Sequence, residues 1–226
     1  GGYMFVMHFR LPYIATAVAF FLAVIVVLFM KEPKRKMPSK KLQKHFSESI
    51  KTISSNRQLF YLVIFFVMIH VSLVMSWFFV QPYYRLIGIR AEHFGIFLAA
   101  GYLLTAIVVR NAHKIEKSLG NKSLVIISLF ILLGYFFGSQ FSFIFGFLFF
   151  WVISFAQGMA FPILDDYVNR QVKSHNRATV LSMKSVLVNI MLAIIAPLLG
   201  YVADTSSLQT ALIIMGAAVL FVSVLL

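Results

Sequence analysis

The sequence contains no cysteine and few charged residues. The missing cysteines exclude disulfide bonds, thiolate metal sites and a cysteine nucleophile. Charged residues make up 12% of the 226 positions, whereas a typical soluble domain has about 25%. Acids are scarcest, with seven Asp and Glu against twenty Lys and Arg, while 61% of the residues are hydrophobic. This composition excludes an ordinary soluble domain and indicates a protein that folds in the lipid bilayer.

The sequence also lacks the common signatures of a catalytic or metal-binding protein. His70, His93 and His113 lie on separate segments without the spacing of a metal site. A glycine-rich phosphate loop is missing too, so we expect no enzyme, cofactor or metal. The net charge of +13 does not indicate nucleic-acid binding. The basic residues lie between apolar runs and not on a folded face with groove-reading or stacking elements.

One long polar stretch, residues 31–57, interrupts the apolar sequence. It holds nine of the twenty Lys and Arg, with Glu32 and Glu48 as its only acids. Four apolar residues recur there at helical spacing, namely Leu42, Phe46, Ile50 and Ile53. This pattern predicts an amphipathic helix on the membrane surface, with membrane lipid as its partner.

The apolar runs predict seven transmembrane helices. A crossing needs roughly 20 apolar residues. The run from 123 to 164 has 42 residues and must fold back once, for which Gly138-Ser139-Gln140 is the only turn-prone break. The fold class is therefore an all-α membrane protein, with predicted spans at 11–30, 59–80, 94–109, 123–138, 141–164, 180–203 and 208–226.

The connections between the spans alternate between basic and weakly basic. Segments 31–57, 110–122 and 170–177 hold nine, four and three Lys and Arg, whereas the other connections hold only Arg10, Arg85 and Arg90. Basic residues near span ends stay in the cytoplasm, so we expect the C-terminus there and the protein in the cell inner membrane. Lys184 lies about one turn inside a span, where its long side chain can reach the interface.

The two ends of the chain resemble each other. Gly2-Tyr3 and Gly200-Tyr201, 198 positions apart, each precede a short segment and an apolar span. The first, fourth and seventh spans have almost no polar side chains, whereas the second, fifth and sixth have many. We therefore expect every third helix at the periphery and the others around a central cavity. A parallel repeat implies a protein of roughly 400 residues, of which this chain, starting at Gly1 and ending in an apolar run, would be the second half.

Four stretches carry a resemblance to the major facilitator superfamily of secondary transporters. They are FRLPYIATAVAFFLAVIVVLFMKEP at 9–33, EKSLGNK at 116–122, DYVNRQVKSHNRATVLSMKS at 166–185 and APLLGYVAD at 196–204. EKSLGNK is similar to the second, degenerate copy of a loop motif of that family. The resemblance implies the end of helix five and helix six at 1–30, a cytoplasmic linker with an amphipathic helix at 31–58, and the C-terminal six-helix bundle at 59–226.

The resemblance implies secondary active transport of a small solute by alternating access, coupled to a proton or another ion. The partners would be that ion, the solute and the N-terminal half of the same protein, in a monomer. Export of a drug-like hydrophobic compound is favoured, because no carboxylate is expected at the centre of the cavity. Import of a small metabolite, a sugar or an organic acid, is the alternative. A seven-span sensor or an intramembrane enzyme remains open, although 208–226 lacks the lysine that a retinal protein needs.

Seven residues are candidates for substrate binding or coupling. His70, Trp77 and Gln81 are spaced to share one helix face. A histidine inside a membrane either handles protons or substrate, or is hydrogen-bonded between helices. Trp77 would stack on a flat substrate or anchor the helix at the interface. Small residues near Asn189 indicate either helix packing or solute contact. The full set is His70, Ser76, Trp77, Gln81, Gln157, Phe161 and Asn189.

Four further residues are candidates for a cytoplasmic gate. Asp165 and Asp166 adjoin the cytoplasmic end of a span, and pairing with Arg170 or Lys173 would form a latch that breaks when the cavity opens inward. Two solvated acids in a polar loop are the other interpretation. Arg177 is expected to bind lipid headgroups or the acidic pair.

Overall fold

The computed structural model describes residues 2–30, 53, 55–172 and 174–224. Throughout these residues the regular structure is helical, without strands, which confirms the predicted all-α fold. The amphipathic helix predicted in the basic stretch lies outside the described residues, apart from its last apolar position Ile53, and so does Lys173.

Eight α-helices and two short 3₁₀ turns form the described part of the chain. The 3₁₀ turns, Ala91–His93 and Ile144–Gly146, each lead directly into a long helix. The α-helices are α1 Gly2–Met7, α2 Leu11–Leu28, α3 Arg57–Leu86, α4 Phe94–Leu119, α5 Lys122–Gln140, α6 Phe147–Gln171, α7 Ser174–Thr205 and α8 Leu208–Val224.

These helices confirm the seven predicted spans. Six helical segments in the described ranges, one for each of α2 to α7, are long and apolar enough to cross a membrane. The apolar α8 is slightly shorter, with 17 described residues. The long apolar run folds back as predicted, but three residues later, because α5 continues to Gln140. Gly138 serves packing and not the turn, since a Cβ atom there would lie 2.9 Å from the ring of Phe149.

Helix α6 is the centre of the bundle and packs against α3, α4 and α5. Its close approach to α4 depends on Gly158, because a Cβ atom there would lie 2.7 Å from the Cβ of Val108. Thr105 Oγ1 donates a hydrogen bond to the carbonyl oxygen of Ser154 at 2.9 Å. Small residues and polar bonds of this kind hold membrane helices together where lipid provides no hydrophobic driving force.

The helices differ strongly in how much of their surface the bundle covers. Helix α3 contacts α6, α7 and α8 and is largely buried. Tyr135 of α5 fixes it further, donating a hydrogen bond from Oη to the carbonyl oxygen of Ser72 at 2.5 Å. Helix α2 buries none of its residues. In a bilayer, an exposed apolar helix of this kind faces lipid or another membrane segment.

The connections gather at two ends of the bundle. Residues 116–122 and 166–172 meet at one end, called the basic end below, where Tyr167 Oη donates to Asn121 Oδ1 at 3.1 Å. At the opposite end Tyr83 Oη donates to the carbonyl oxygen of Phe141 at 2.5 Å. The two basic connections at 110–122 and 170–177 therefore lie on the same side of the bundle.

Candidate functional site

A cavity of about 550 Å³ lies between α3, α6 and α7. These are the second, fifth and sixth predicted spans, the three richest in polar residues. The third span, α4, was also expected around a central cavity but does not line this one. The lining of the cavity includes Phe66 and His70 from α3, Phe161 and Asp165 from α6, and Lys184 and Asn189 from α7. Volumes of about 300 to 1,000 Å³ are usual for small-molecule sites.

The cavity contains an ion pair between Lys184 and Asp165, called the cavity pair below. Lys184 is only 4% exposed, and its Nζ atom binds Asp165 Oδ1. The same Nζ atom lies 3.4 Å from the ring centroid of Phe66. An ammonium group inside a membrane protein requires a counter-charge, and the carboxylate and the aromatic face both supply it.

The cavity pair corrects two expectations. The ammonium group of Lys184 was expected to reach the interface, whereas the structure buries Lys184 (4% exposed) and binds its Nζ atom to Asp165. Asp165 does not pair with Arg170, because its carboxylate binds the ammonium group of α7. The sequence could have identified this residue as a functional candidate, because Lys184 is the only Lys or Arg inside a predicted span.

His70 also lines the cavity and lies between two aromatic rings. Its ring centroid is 4.9 Å from that of Phe161 and 5.6 Å from that of Phe66. Its buried Nδ1 atom has no hydrogen-bond partner within the described ranges. A buried polar atom without a partner is costly and calls for a functional explanation. The interhelical hydrogen bond considered for Nδ1 is therefore not formed among the residues described.

The α7 side of the cavity adds two polar side chains. Asn189 Nδ2 donates to the carbonyl oxygen of Ser185 at 3.0 Å, and Ser185 Oγ donates to that of Leu181 at 3.2 Å. Both residues are exposed. Further along α7, Ala196 and Gly200 line a separate cavity of about 390 Å³ together with Phe79 of α3. A Cβ atom at Gly200 would meet nothing within 4 Å, so this glycine does not mark a close helix contact.

The structure does not bring the other candidates of α3 to this cavity. Trp77 stacks on Tyr102 at 4.5 Å and meets the edge of Phe150 at 5.0 Å, so it packs between helices. Ser76 is buried and donates to the carbonyl oxygen of Leu73 at 2.6 Å. Gln81 lines a separate cavity of about 320 Å³, eleven residues and roughly 16 Å along the helix from His70.

The remaining candidate on α6, Gln157, is half-buried one turn before Phe161. It lies outside the lining of the cavity between α3, α6 and α7. Of the two, only Phe161 contributes to the site, through its contact with His70.

The gate candidates form a second group of charges at the basic end. Arg170 binds Asp166, one turn away on the same helix, and Glu116 of α4, with Nη2 to Oε1 at 2.9 Å. These three residues are called the end cluster below. Sequence reasoning missed Glu116 as a gate residue, although it is the first residue of the EKSLGNK motif. Arg177 lies apart from the acids and donates to the carbonyl oxygen of Asn169 at 3.2 Å.

The chemistry of the site follows from these groups. In the described part of the chain, no three His, Asp or Glu residues are placed to hold a metal ion. The cavity contains an ammonium group, a carboxylate and an imidazole between membrane-crossing helices. Ionisable groups inside a membrane protein usually mark a solute or proton pathway.

Comparison with known proteins identifies the family. No curated protein matches the chain. The family model described as Major Facilitator Superfamily matches residues 1–182, most of the 226-residue sequence. The match agrees with the bundle of apolar, membrane-length helices and confirms the resemblance carried by the sequence motifs. The chain belongs to the Major Facilitator Superfamily.

Proposed function

We propose that the protein is a secondary active transporter that couples movement of a small solute to a proton gradient by alternating access. Family membership supports a secondary transporter of small solutes. In this proposal residues 59–226 are the C-terminal six-helix bundle, 1–30 the end of helix five and helix six, and 31–58 the cytoplasmic linker. The N-terminal half of the same protein would cover the exposed faces of α2 and α7 in a monomer of the inner membrane, with the C-terminus cytoplasmic.

The observation that carries the proposal is the cavity pair inside a cavity between three membrane-crossing helices. Keeping the ammonium group of Lys184 away from water is costly, and a purely structural contact between the helices would cost less free energy if apolar side chains made it. The pair faces a space large enough for a solute, and Asp165 and His70 are groups that accept and release protons. Both properties are what a solute-coupled proton site requires.

The end cluster supports the alternating-access part of the proposal. Glu116 and Arg170 join the ends of α4 and α6, and Asp166 holds the arginine from within α6. Contacts of this kind at the cytoplasmic end would have to rearrange when the helices around the cavity spread. We place the inner gate here, with Arg177 at the start of α7 as its neighbour.

Two solute classes fit the cavity differently. The aromatic rings of Phe66 and Phe161 favour a hydrophobic compound, as in the drug-export interpretation. However, Asp165 lines the cavity, whereas that interpretation assumed a cavity without a carboxylate. Import of a small metabolite is the second candidate, and the buried ammonium group of Lys184 favours it.

The experiment uses the full-length protein in proteoliposomes that contain a pH-sensitive dye. Solutes of both classes are added, and solute-evoked proton movement is recorded. We expect at least one solute to move protons, with a loss of tenfold or more in Asp165→Asn and less than threefold in Asp166→Asn.

The adjacent substitution Asp166→Asn is the matched control, because it makes the same chemical change outside the cavity. A full-length protein that shows no gradient-dependent flux of any solute, yet hydrolyses a substrate or responds only as a sensor, would overturn the proposal.

A further inference from the structure

The charged groups around the cavity come from all three helices that form it. His70 on α3, Asp165 on α6 and Lys184 on α7 are the titratable residues of its lining. At the basic end, Arg170 of α6 binds both Asp166 and Glu116 and so faces neither the cavity nor its lining. Lys184 is therefore the one ammonium or guanidinium group that the described residues present to the cavity.

The two partners of the cavity pair are held very differently. The Lys184 side chain is 5% exposed and is packed against the ring of Phe66. The side chain of Asp165 is 46% exposed and reaches the pair from the cavity side. The cation is thus fixed in the wall, whereas its carboxylate partner is accessible and can be exchanged for another anion without moving Lys184.

The surroundings of Lys184 suit the rest of an organic molecule. The rings of Phe66, His70 and Phe161 form an aromatic wall beside the ammonium group. Asn189 and Ser185 add polar atoms on α7. An apolar wall with a few placed polar groups is the usual construction of a small-molecule site, in which the polar groups fix the orientation.

We propose that the solute is a small organic anion whose carboxylate binds Lys184 in place of Asp165, with its apolar or aromatic body against Phe66 and Phe161. The proposal rests on the proposed transport function and names the solute class of the same cavity. Lys184 is the anion-binding residue, and Asp165 is the internal counter-ion that the solute displaces.

Charge balance makes the displaced Asp165 the coupling group. The empty cavity pair is neutral, and a bound carboxylate brings one negative charge into a low-dielectric space. One proton, taken from the aqueous phase on the entry side, converts the displaced Asp165 carboxylate to its neutral acid and restores neutrality. On the exit side the anion leaves, the proton returns to water, and Asp165 again binds Lys184. One anion and one proton therefore cross together.

The test measures ligand-induced thermal stabilisation of the full-length protein in detergent. The probes are benzoate, phenylacetate and octanoate, their uncharged amides, and benzamidine as the cation. A ligand that binds only the folded state raises the melting temperature. We expect at least one acid to raise it by about 3 °C or more at saturation, with little effect of its amide or of benzamidine.

Two substitutions give opposite expected results. Lys184→Met removes the anion-binding group, so the stabilisation by the acid should disappear. Asp165→Asn removes the competing carboxylate, so the acid should bind roughly tenfold more tightly and stabilise this variant more than the native protein. A variant that merely misfolds cannot show the second result. Lys122→Met, at the basic end, is the control and should respond as the native protein does.

Each other outcome overturns the proposal. Equal stabilisation by acid and amide would show that the charge is not recognised, and preference for benzamidine would make Asp165 the solute-binding group. No stabilisation by any of the three acids, or none gained in Asp165→Asn, would also reject it. If the binding test gives one of these outcomes but proton-coupled flux of another solute is measured, the organic-anion assignment is wrong and the proposed transport function stands. Loss of all gradient-driven flux would reject the proposed function itself.

Discussion

Asp165 and Asp166 are neighbours in the chain, yet their carboxylates belong to two different groups of charges. Successive residues of a helix point about 100° apart, so the two side chains leave α6 on different sides. Asp165 turns into the cavity and binds the buried Lys184. Asp166 binds Arg170, which is 57% exposed and also reaches Glu116. One carboxylate therefore neutralises a charge within the bundle, and the other neutralises one at its end.

The difference shows that the free energy needed to break an ion pair depends on how far its partners are exposed to water. Exposed pairs contribute only about 0 to 1 kcal/mol, because water solvates both partners. A buried pair gains little over apolar packing, yet losing one partner leaves the other charged and unsolvated. Asp166 and Arg170 are about half-exposed, so their contact in the end cluster can break and re-form cheaply. Glu116 is only 9% exposed and needs a new partner or water when the gate opens. The cavity pair can be opened only by something that replaces the missing charge, which is the property of a binding site.

The largest expected effect is on stability and is asymmetric within the cavity pair. Asp165→Leu leaves the buried ammonium group of Lys184 without a partner and should lower the free energy of unfolding by about 3 kcal/mol. Lys184→Met leaves a carboxylate that is half-exposed to the cavity, so its cost should be about 1 kcal/mol. The double variant Asp165→Leu/Lys184→Met should recover most of the loss. Denaturant unfolding of the full-length protein, followed by circular dichroism, measures all three.

Asp166→Leu at the end cluster is the control for this series, with an expected cost of about 1 kcal/mol, because the remaining Arg170 is 57% exposed and keeps Glu116 as a partner. Equal costs for Asp165→Leu and Lys184→Met, or a double variant no better than Asp165→Leu, would show that the cavity pair is not the isolated buried unit described here.

The sequence predicted the helices and the location of the cavity, but not the pairing inside it. Long apolar runs predict transmembrane helices, because a helix of about 20 residues crosses a bilayer with its backbone hydrogen bonds formed internally. The distribution of polar residues then predicted four spans around a central cavity, and three of these, α3, α6 and α7, line the observed one. The contact between Asp165 and Lys184 depends on how α6 and α7 are rotated about their axes across a hairpin, which packing with α3 and α4 determines.

Trp77 is a second residue whose contact could not be predicted from the sequence. An indole ring suits a substrate site, a membrane interface or a helix contact equally well. The stacking partner Tyr102 lies on α4, 25 residues further along the chain. Nothing in the local sequence around Trp77 identifies that partner, and so the third role was not among the two predicted from the sequence.

A smaller effect is expected from the end cluster. Glu116→Gln removes the charge that joins α4 to Arg170 and should favour the state with an open cytoplasmic side. Because the chain has no native cysteine, Ser185→Cys in the cavity wall reports that opening within this half of the protein. We expect its labelling by a membrane-impermeant maleimide from the cytoplasmic side to become about threefold faster, corresponding to roughly 0.6 kcal/mol, because the remaining partner Arg170 is 57% exposed and still binds Asp166.

Labelling of Ser185→Cys in an Asn111→Asp background provides the control, because Asn111 is a half-buried residue of the same helix outside the end cluster. An unchanged labelling rate in Glu116→Gln, or an equal increase in the control, would remove the end cluster from the gating proposal and leave it a static contact between α4 and α6.

The smallest expected effect concerns His70, which shares the cavity with the pair but binds neither partner directly. Its ring lines the cavity, but its Nδ1 atom is buried without a hydrogen-bond partner in the described ranges. We therefore expect the ring to contact a solute mainly by packing. His70→Gln keeps a polar group there but cannot be protonated near neutral pH. If Asp165 carries the coupled proton and His70 only contacts the solute, transport should fall about twofold at every pH between 5.5 and 8. A change in the shape of the pH profile, with the substituted protein equal to the native one at one end of the range, would instead place the proton on His70 and make the cavity pair a fixed electrostatic element beside it.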